Sequence, residues 1–72
     1  MPRDLLKAFG ARVRKLRKAK GWSLEELAYR AKETNVGYLN DVELGKVEPC
    51  LKKIKALSKA LRVPLFRMMR DL

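Results

Sequence analysis

The sequence predicts an all-α fold with five helices in one domain covering residues 1–72, and three observations indicate it. Apolar residues recur at steps of three and four along most of the chain, which places them on one face of a helix. Glycines, prolines and short polar breaks divide this pattern into segments of helical length. The sequence contains no alternating run of β-branched residues and no Asn-Gly or Asp-Gly hairpin signal, so nothing in it indicates a strand.

Helix 1 is predicted from Arg3 to Ala19. One apolar stripe runs along it, and charged side chains occupy much of the remaining surface. The stripe consists of Leu5, Phe9, Val13 and Leu16. Gly21 is expected to end the helix, because glycine adopts the left-handed conformation after a helix at little cost.

Helix 2 is predicted to begin at Ser23, whose hydroxyl oxygen would accept a hydrogen bond from the first turn. The run "SLEE" has the form of a capping box, so we expect the Glu26 side chain to reach back to the cap. We expect the helix to fray near Ala31 or Lys32. Its inward side is formed by Leu24, Leu27, Ala28 and Ala31.

Helix 3 is predicted to follow the polar segment "KETN", in which Thr34 and Asn35 are both suitable N-caps. Asn35 is preferred, because it places Leu39 and Val42 inward at a spacing of three. Gly45 would close the helix. The outward positions are then Val36, Gly37, Asn40 and Asp41. The glycine among them costs the helix about 1 kcal/mol relative to alanine, and close approach of a partner's backbone would account for it.

Helix 4 is predicted to open at Pro49 and Cys50, with Cys50 as a small, half-buried filler. Its apolar residues are Leu51, Ile54, Leu57 and Leu61. Pro64 is suited to start a short fifth helix, because the first turn needs no amide hydrogen there. That helix carries more apolar side chains than one small core needs, namely Leu65, Phe66, Met69 and Leu72.

The composition excludes several classes of function. The chain has no histidine and one cysteine, so neither an internal disulfide nor a Cys/His zinc site is possible. It also lacks any Ser–His or Cys–His pair, so we predict no enzyme, no cofactor, no metal and no small-molecule substrate. Charges interrupt the N-terminal apolar stretch, and no uncharged run approaches the roughly 20 residues of a membrane span. These features predict a soluble cytoplasmic protein without a signal peptide.

Positive charge is concentrated in the two ends of the sequence. Eighteen Lys and Arg against eight Asp and Glu give a net charge of +10. Residues 1–22 carry +7 and residues 49–72 carry +6, whereas residues 23–48 carry −3. Such an excess suits nucleic acid, an anionic membrane or an acidic protein. We therefore expect a positive surface that flanks helices 2 and 3 rather than lying on them.

The central segment has the order of a helix-turn-helix, although an ordinary helical hairpin has the same spacing. From about Phe9 to Met69 the chain resembles the phage repressor and Cro-like helix-turn-helix family (XRE type). The residues that carry the resemblance are Leu16-Arg17, the run G-x-S-x-E-E-L-A from Gly21, Val42-Glu43-x-Gly45, Pro49 and Ala60-Leu61-x-Val63.

The resemblance implies a compact five-helix bundle, like the DNA-binding domain of lambda repressor, that binds double-stranded operator DNA as a homodimer. It implies a partly buried ion pair between Arg17 and Glu43, and it places base contacts on helix 3 with phosphate contacts around it. The candidates for base contact are Val36, Gly37, Tyr38, Asn40 and Asp41. The candidates for phosphate contact are Lys20, Ser23, Asn35 and Lys46. A dimer through the last helix leaves helix 3 free, so the dimer candidates are Phe66 and Met69.

The sequence departs from the family at three places. The turn "AKETN" lacks the usual glycine and is one residue longer, Leu24 stands where glutamine is common, and Cys50 stands where a serine cap is frequent.

Two other functions stay open. Asp41 and Glu43 would suit a protein-interaction adaptor or antitoxin-like module. An exposed apolar stripe on helix 1 would suit an anionic membrane surface.

Overall fold

The computed structural model describes residues 2–32 and 34–72, and within these ranges the chain forms five α-helices and no strand. The helices are α1 (Arg3–Ala19), α2 (Leu24–Arg30), α3 (Val36–Glu43), α4 (Leu51–Leu61) and α5 (Leu65–Met69). They pack into a body of 28 × 23 × 21 Å. The predicted all-α class and the order of the helices are confirmed.

Every helix contributes to one apolar core. Helix α3 packs on α1 and α2, whereas α4 contacts α1, α2 and α5, and α5 also packs on α1. The largest fully buried side chains are Phe9, Val13, Leu27, Leu39, Val42, Leu57, Leu61 and Met68. Burial of each contributes about 1.5–3 kcal/mol to folding. Because Phe9 and Val13 form the middle of the α1 stripe, this stripe faces the core and is not available to a membrane surface.

Helices α1 and α3 meet in backbone contact at Gly10. A Cβ atom at this position would lie less than 3.0 Å from the carbonyl oxygens of Val42 and Glu43. No side chain fits there, so glycine is required in the middle of α1 although it costs a helix about 1 kcal/mol relative to alanine. The contact determines where along α1 the C-terminal end of α3 lies.

The start of α2 confirms the predicted cap but not the capping box. Ser23 Oγ accepts a hydrogen bond from the Glu26 amide at 3.0 Å. The prediction that the Glu26 side chain reaches back to the cap is wrong. Instead, Glu26 Oε2 accepts a hydrogen bond from Arg30 Nε at 2.6 Å, one turn later. An ion pair at this spacing is favourable on a helix surface, and here it takes the place of the bond to the cap.

The predicted boundaries of α3 and the end of α1 are also confirmed. Asn35 is the N-cap of α3, and its Oδ1 accepts a hydrogen bond from the Tyr38 amide at 2.7 Å. Gly21 and Gly45 have φ angles of +72° and +73°, the left-handed conformation expected after a helix.

The turn between α2 and α3 places a lysine where the backbone favours glycine. Lys32 has a φ angle of +40°, and its carbonyl accepts a hydrogen bond from Thr34 Oγ1 at 3.2 Å. A residue with a Cβ is strained in this region by about 1–2 kcal/mol. The absence of the usual glycine from this turn therefore has a local cost at Lys32.

At the start of α4, one residue of the apolar stripe is exposed and the prediction for Cys50 is wrong. Leu51 is 75% exposed, although it begins the apolar stripe of this helix. Leu51 is the first residue of α4, and the stripe becomes buried from Ile54 onward. Cys50 is exposed rather than half-buried, and as N-cap of α4 its side chain makes no cap hydrogen bond.

Arg12 of α1 holds the C-terminal end of α5. Its Nη1 donates hydrogen bonds to the carbonyl oxygens of Arg67 at 3.0 Å, Met68 at 3.3 Å and Arg70 at 2.6 Å. The last carbonyls of a helix have no partner within it, and here a cation from another helix binds those of Arg67 and Met68 together with that of the C-cap residue Arg70. Arg12 thus fixes α5 against α1.

Candidate nucleic-acid interface

Helix α3 has one side in the core and the other in solvent. Leu39 and Val42 are buried, whereas Gly37 and Asn40 are exposed. Residues three apart share a face of a helix, so Gly37 and Asn40 are neighbours. We refer to Val36, Gly37, Asn40 and Asp41 as the outer face of α3. Its centre is a glycine beside an amide side chain, which is able both to donate and to accept hydrogen bonds.

Val36 and Asp41 lie at the edges of this outer face, and both are half-buried. Val36 packs partly against the core, where the sequence predicted a position outside. Val36 is half-buried because it lines a shallow groove between α2 and the start of α3, together with Ala28 and Tyr29. Only part of the Val36 side chain is therefore accessible to a partner.

Tyr38 turns from the outer face toward the start of α4. Its ring centroid lies 5.9 Å from Lys53 Nζ, within the range of a cation–π contact. Burial raises the pKa of the Tyr38 phenol above its ordinary value, the electrostatic influence of the Cys50 side chain adds to this, and a hydrogen bond with the Cys50 backbone opposes them. Tyr38 therefore connects α3 with α4 and borders the outer face of α3.

Arg17 and Glu43 join the end of α3 to α1. Arg17 Nε donates to Glu43 Oε2 at 2.7 Å, and Nη2 donates to Oε1 at 3.1 Å. The two side chains are only 12% and 6% exposed. Arg17 Nη1 also donates to the carbonyl oxygen of Trp22 at 2.8 Å. The hydrogen bond with Glu43 raises the pKa of Arg17, which keeps the guanidinium charged. The Arg17 side chain thus connects α1 with the end of α3 and with the segment at Trp22.

The four candidate phosphate contacts lie at helix ends around α3. The side-chain oxygens of Ser23 and Asn35 already accept cap hydrogen bonds, so what remains for a phosphate is the hydroxyl hydrogen of Ser23 and the amide hydrogens of Asn35. Lys20 Nζ lies 5.3 Å from the centroid of the Trp22 ring. Lys46 is exposed just after α3, and its backbone amide donates to the Asp41 carbonyl at 2.9 Å.

Tyr29 is a candidate that the sequence analysis does not single out. Its side chain is 82% exposed on α2 and lines the groove that ends at Val36 and Asn35. An exposed aromatic residue beside the N-terminus of α3 is available to a partner that covers the outer face. The signal was present in the sequence, because Tyr29 falls outside the inward stripe of α2 and no packing role explains an aromatic residue there.

The described ranges 2–32 and 34–72 contain no group of three or more Cys, Asp or Glu side chains placed to bind a metal ion. They also contain no helix that combines the length and apolar character needed to cross a membrane. The grooves on the surface are open. The groove between α1 and α5 is basic, and its cationic lining consists of Arg12, Lys15, Arg67 and Arg70.

Helices α2 and α3 are short, follow one another through a tight turn, and pack so that the second keeps its polar side outward. This arrangement defines a helix-turn-helix, the class of domain whose second helix contacts DNA. The chain belongs to the helix-turn-helix family, since the family profile matches residues 13–67. The resemblance inferred from the sequence is thereby confirmed.

Similar solved structures agree with this assignment. The restriction-modification controller protein C.AhdI from Aeromonas hydrophila is 38% identical, with a TM-score of 0.82 over 90% of this chain and 96% of that chain. The clp gene regulator ClgR from Corynebacterium glutamicum is 31% identical, with a TM-score of 0.84 over 90% of this chain and 68% of that chain. No curated protein sequence matches this chain significantly.

Proposed function

We propose that this chain is a transcription regulator that binds double-stranded DNA sequence-selectively by placing α3 in the major groove. The observation that carries the proposal is the outer face of α3. It carries the polar side chains of Asn40 and Asp41, it belongs to a helix that packs on both α1 and α2, and its central residues Gly37 and Asn40 are exposed. The family assignment supports the same function, and so do the two similar structures, which are a restriction-modification controller protein and a gene regulator.

The charge distribution supports a division of roles between affinity and specificity. Residues 23–48 carry −3, while the segments before and after them carry +7 and +6. Phosphate contacts supply salt-dependent affinity and set the position of a protein on DNA, whereas base contacts determine sequence preference. Lys20 and Lys46 flank the helix-turn-helix and are the proposed phosphate contacts, together with the caps Ser23 and Asn35.

Base contacts are assigned from the chemistry of the outer face of α3. Asn40 pairs with an adenine edge, Asp41 accepts from cytosine N4, and the accessible part of Val36 touches a thymine methyl group. Tyr38, at the border of this face, contacts the backbone beside these bases. Helix α3 carries no arginine for guanine, so its preference depends on few direct contacts and on DNA shape.

The regulator acts as a homodimer through α5 in this proposal. Phe66 is 72% exposed, whereas Met69 packs partly against the core, so Phe66 is the stronger dimer contact. A two-fold axis through α5 leaves both copies of α3 free, with half-sites about 34 Å apart. The dimer works in the cytoplasm, carries out no catalysis and represses by occupying its operator.

Selection from a random-sequence duplex pool tests the DNA-binding proposal. We expect an enriched palindrome with half-sites about one helical turn apart. Binding to the selected duplex should weaken by about 0.9 log units per log unit of salt for each phosphate contact. Failure to enrich any sequence, together with no binding to duplex DNA in dilute buffer, would refute the proposal.

Sedimentation equilibrium of Phe66→Ser tests the dimer. We expect this variant to be monomeric at concentrations where the wild type is a dimer, because the exposed ring supplies the apolar contact. Leu51→Ser is the matched control, since Leu51 is 75% exposed and lies on α4 instead of α5. Equal effects of the two substitutions would place the dimer elsewhere.

The alternative function, a protein-docking module, has less support, because one of the two acidic residues that suggested it is paired within the chain. The charge of Glu43 is paired with Arg17, so Asp41 is the only acidic residue that the outer face of α3 retains. If Asp41→Ala leaves DNA binding unchanged or makes it tighter while a protein partner is lost, the docking function gains support.

A further inference from the structure

The four glycines of the chain differ in the structural reason for which glycine occurs at each position. Gly10 has no room for a Cβ atom, because the carbonyl oxygens of α3 lie too close. Gly21 and Gly45 have positive φ angles, which disfavour any other residue. In these three cases the fold itself accounts for the glycine.

Gly37 has no such internal reason. Its φ angle is not positive, and a Cβ atom there would meet only Asn35 Oδ1, at an ordinary contact distance of 3.5 Å. Alanine would therefore fit without strain. Gly37 is the second residue of α3, where glycine destabilises the helix by up to about 1 kcal/mol relative to alanine, so the chain keeps a residue that its own packing does not need. Neither packing nor backbone conformation within the described residues accounts for Gly37.

Gly37 is at the centre of the outer face of α3. It is exposed, and its neighbours on that face are the exposed Asn40 and the half-buried Val36 and Asp41. Because glycine has no side chain, the α3 backbone at Gly37 is exposed between these neighbours. A partner that contacts Asn40 would therefore lie close to this backbone.

We propose that Gly37 determines how closely α3 approaches base pairs, so that the edge of one base pair lies against the α3 backbone itself. The inference rests on the proposed function and makes it more specific. A side chain at position 37 would hold the helix away from the groove floor and lengthen the contacts of Asn40. Gly37 is then a specificity-determining residue that forms no hydrogen bond through a side chain.

The test compares wild type and Gly37→Ala on two duplexes by fluorescence anisotropy. One duplex is enriched by the wild type from a random-sequence pool, and the other has the same composition in scrambled order. We expect Gly37→Ala to weaken binding to the selected duplex about ten-fold, the equivalent of about 1.4 kcal/mol. Binding to the scrambled duplex should stay within about two-fold, because phosphate contacts dominate it.

Thermal unfolding of the same variant provides the second measurement. Gly37→Ala should raise the melting temperature by up to about 8 °C, because alanine removes the destabilisation that glycine causes in the helix. Gly37→Ser, with a slightly larger side chain, should weaken selected binding at least as much. Ala11→Gly is the matched control, because it makes the reverse change at an exposed position of α1. This control should lower the melting temperature and leave both DNA affinities unchanged.

The outcomes separate the inference from the proposed function. If the wild type binds no duplex selectively, the proposed function fails. If the wild type is selective and Gly37→Ala is more stable but equally tight on the selected duplex, the inference is overturned and the proposed function stands. A lower melting temperature for Gly37→Ala would also overturn the inference, because the fold would then need the glycine after all.

Discussion

The Arg17 guanidinium and the Glu43 carboxylate form two parallel hydrogen bonds of 2.7 and 3.1 Å, while a third nitrogen of the same guanidinium reaches the Trp22 carbonyl. Desolvation offsets much of the attraction within such a pair, so its main effect is to specify geometry. It holds the C-terminal end of α3 at a fixed place on α1. The orientation of the outer face of α3 therefore depends on two side chains that do not belong to it.

We predict that Glu43→Ala destabilises the protein by about 3 kcal/mol, because it leaves a nearly buried guanidinium without its partner. Urea denaturation followed by circular dichroism measures the change. Arg17→Lys should lose a large part of the same stability, since an ammonium group cannot make the two parallel bonds. If Glu43→Ala costs less than the ~1 kcal/mol typical of an exposed ion pair, the pair does not have the role described.

Cys50→Ser should stabilise the protein by about 1 kcal/mol. Cys50 is the N-cap of α4 and makes no cap hydrogen bond, whereas a serine hydroxyl would accept one from the first turn. The melting temperature measures the gain. Cys50→Ala is the control, and it should give no increase because alanine supplies no acceptor.

Lys32→Gly should stabilise the turn between α2 and α3 by about 0.5–1 kcal/mol. Removal of the Cβ relieves the strain at a φ angle of +40°, and the greater freedom of glycine in the unfolded chain offsets part of the gain. Lys32→Ala controls for loss of the charge and should not stabilise. An unchanged melting temperature for Lys32→Gly would show that the turn carries no strain.

We predict that ionisation of the Tyr38 phenol lowers the stability of the folded protein at alkaline pH. Burial raises the pKa of its phenol in the folded state above the unfolded value of about 10. The corresponding stability is fully present below the unfolded pKa and is lost as the pH rises through the folded pKa. Tyr38→Phe keeps the ring and lacks the phenol, so its denaturation midpoint should fall less than that of the wild type above about pH 10. Parallel curves for both proteins would contradict this.

Lys46→Ala should reduce the dependence of DNA affinity on salt. Loss of one phosphate contact lowers the slope of log affinity against log salt by about 0.9, equally for selected and scrambled duplexes. Lys15→Ala is the matched control, since Lys15 lines the groove between α1 and α5, and it should leave the slope unchanged. A loss confined to the selected duplex would instead make Lys46 a base contact.

The helices and their ends could be predicted from the sequence, because they depend on residues close to one another in the chain. Ser23 and Asn35 act on amides three positions later, and Gly21 and Gly45 act on their own backbone. Such interactions are the same in almost any surrounding structure. The face of α3 that points outward followed from the buried positions of Leu39 and Val42.

Features that depend on contacts between distant helices were not predictable in this way. The 75% exposure of Leu51 depends on which helices lie beside the start of α4, and the local pattern does not reveal this. Tyr38 turns toward α4 because Lys53 and the Cys50 backbone are there, which no local pattern reveals. Glu26 is a local exception, because Arg30 and the cap both lie within reach of it along α2 and only the structure distinguishes them.

The contact of Gly10 with the backbone of α3 limits which amino-acid sequences can adopt this fold. Where side chains meet, a larger residue on one helix is tolerated after a smaller one appears opposite, but carbonyl oxygens cannot be exchanged for anything smaller. We therefore expect a library randomised along α1 to return functional clones with diverse residues at most positions and with glycine alone at position 10. Redesign of the DNA preference is best confined to α3 and its turn, while that crossing is left untouched.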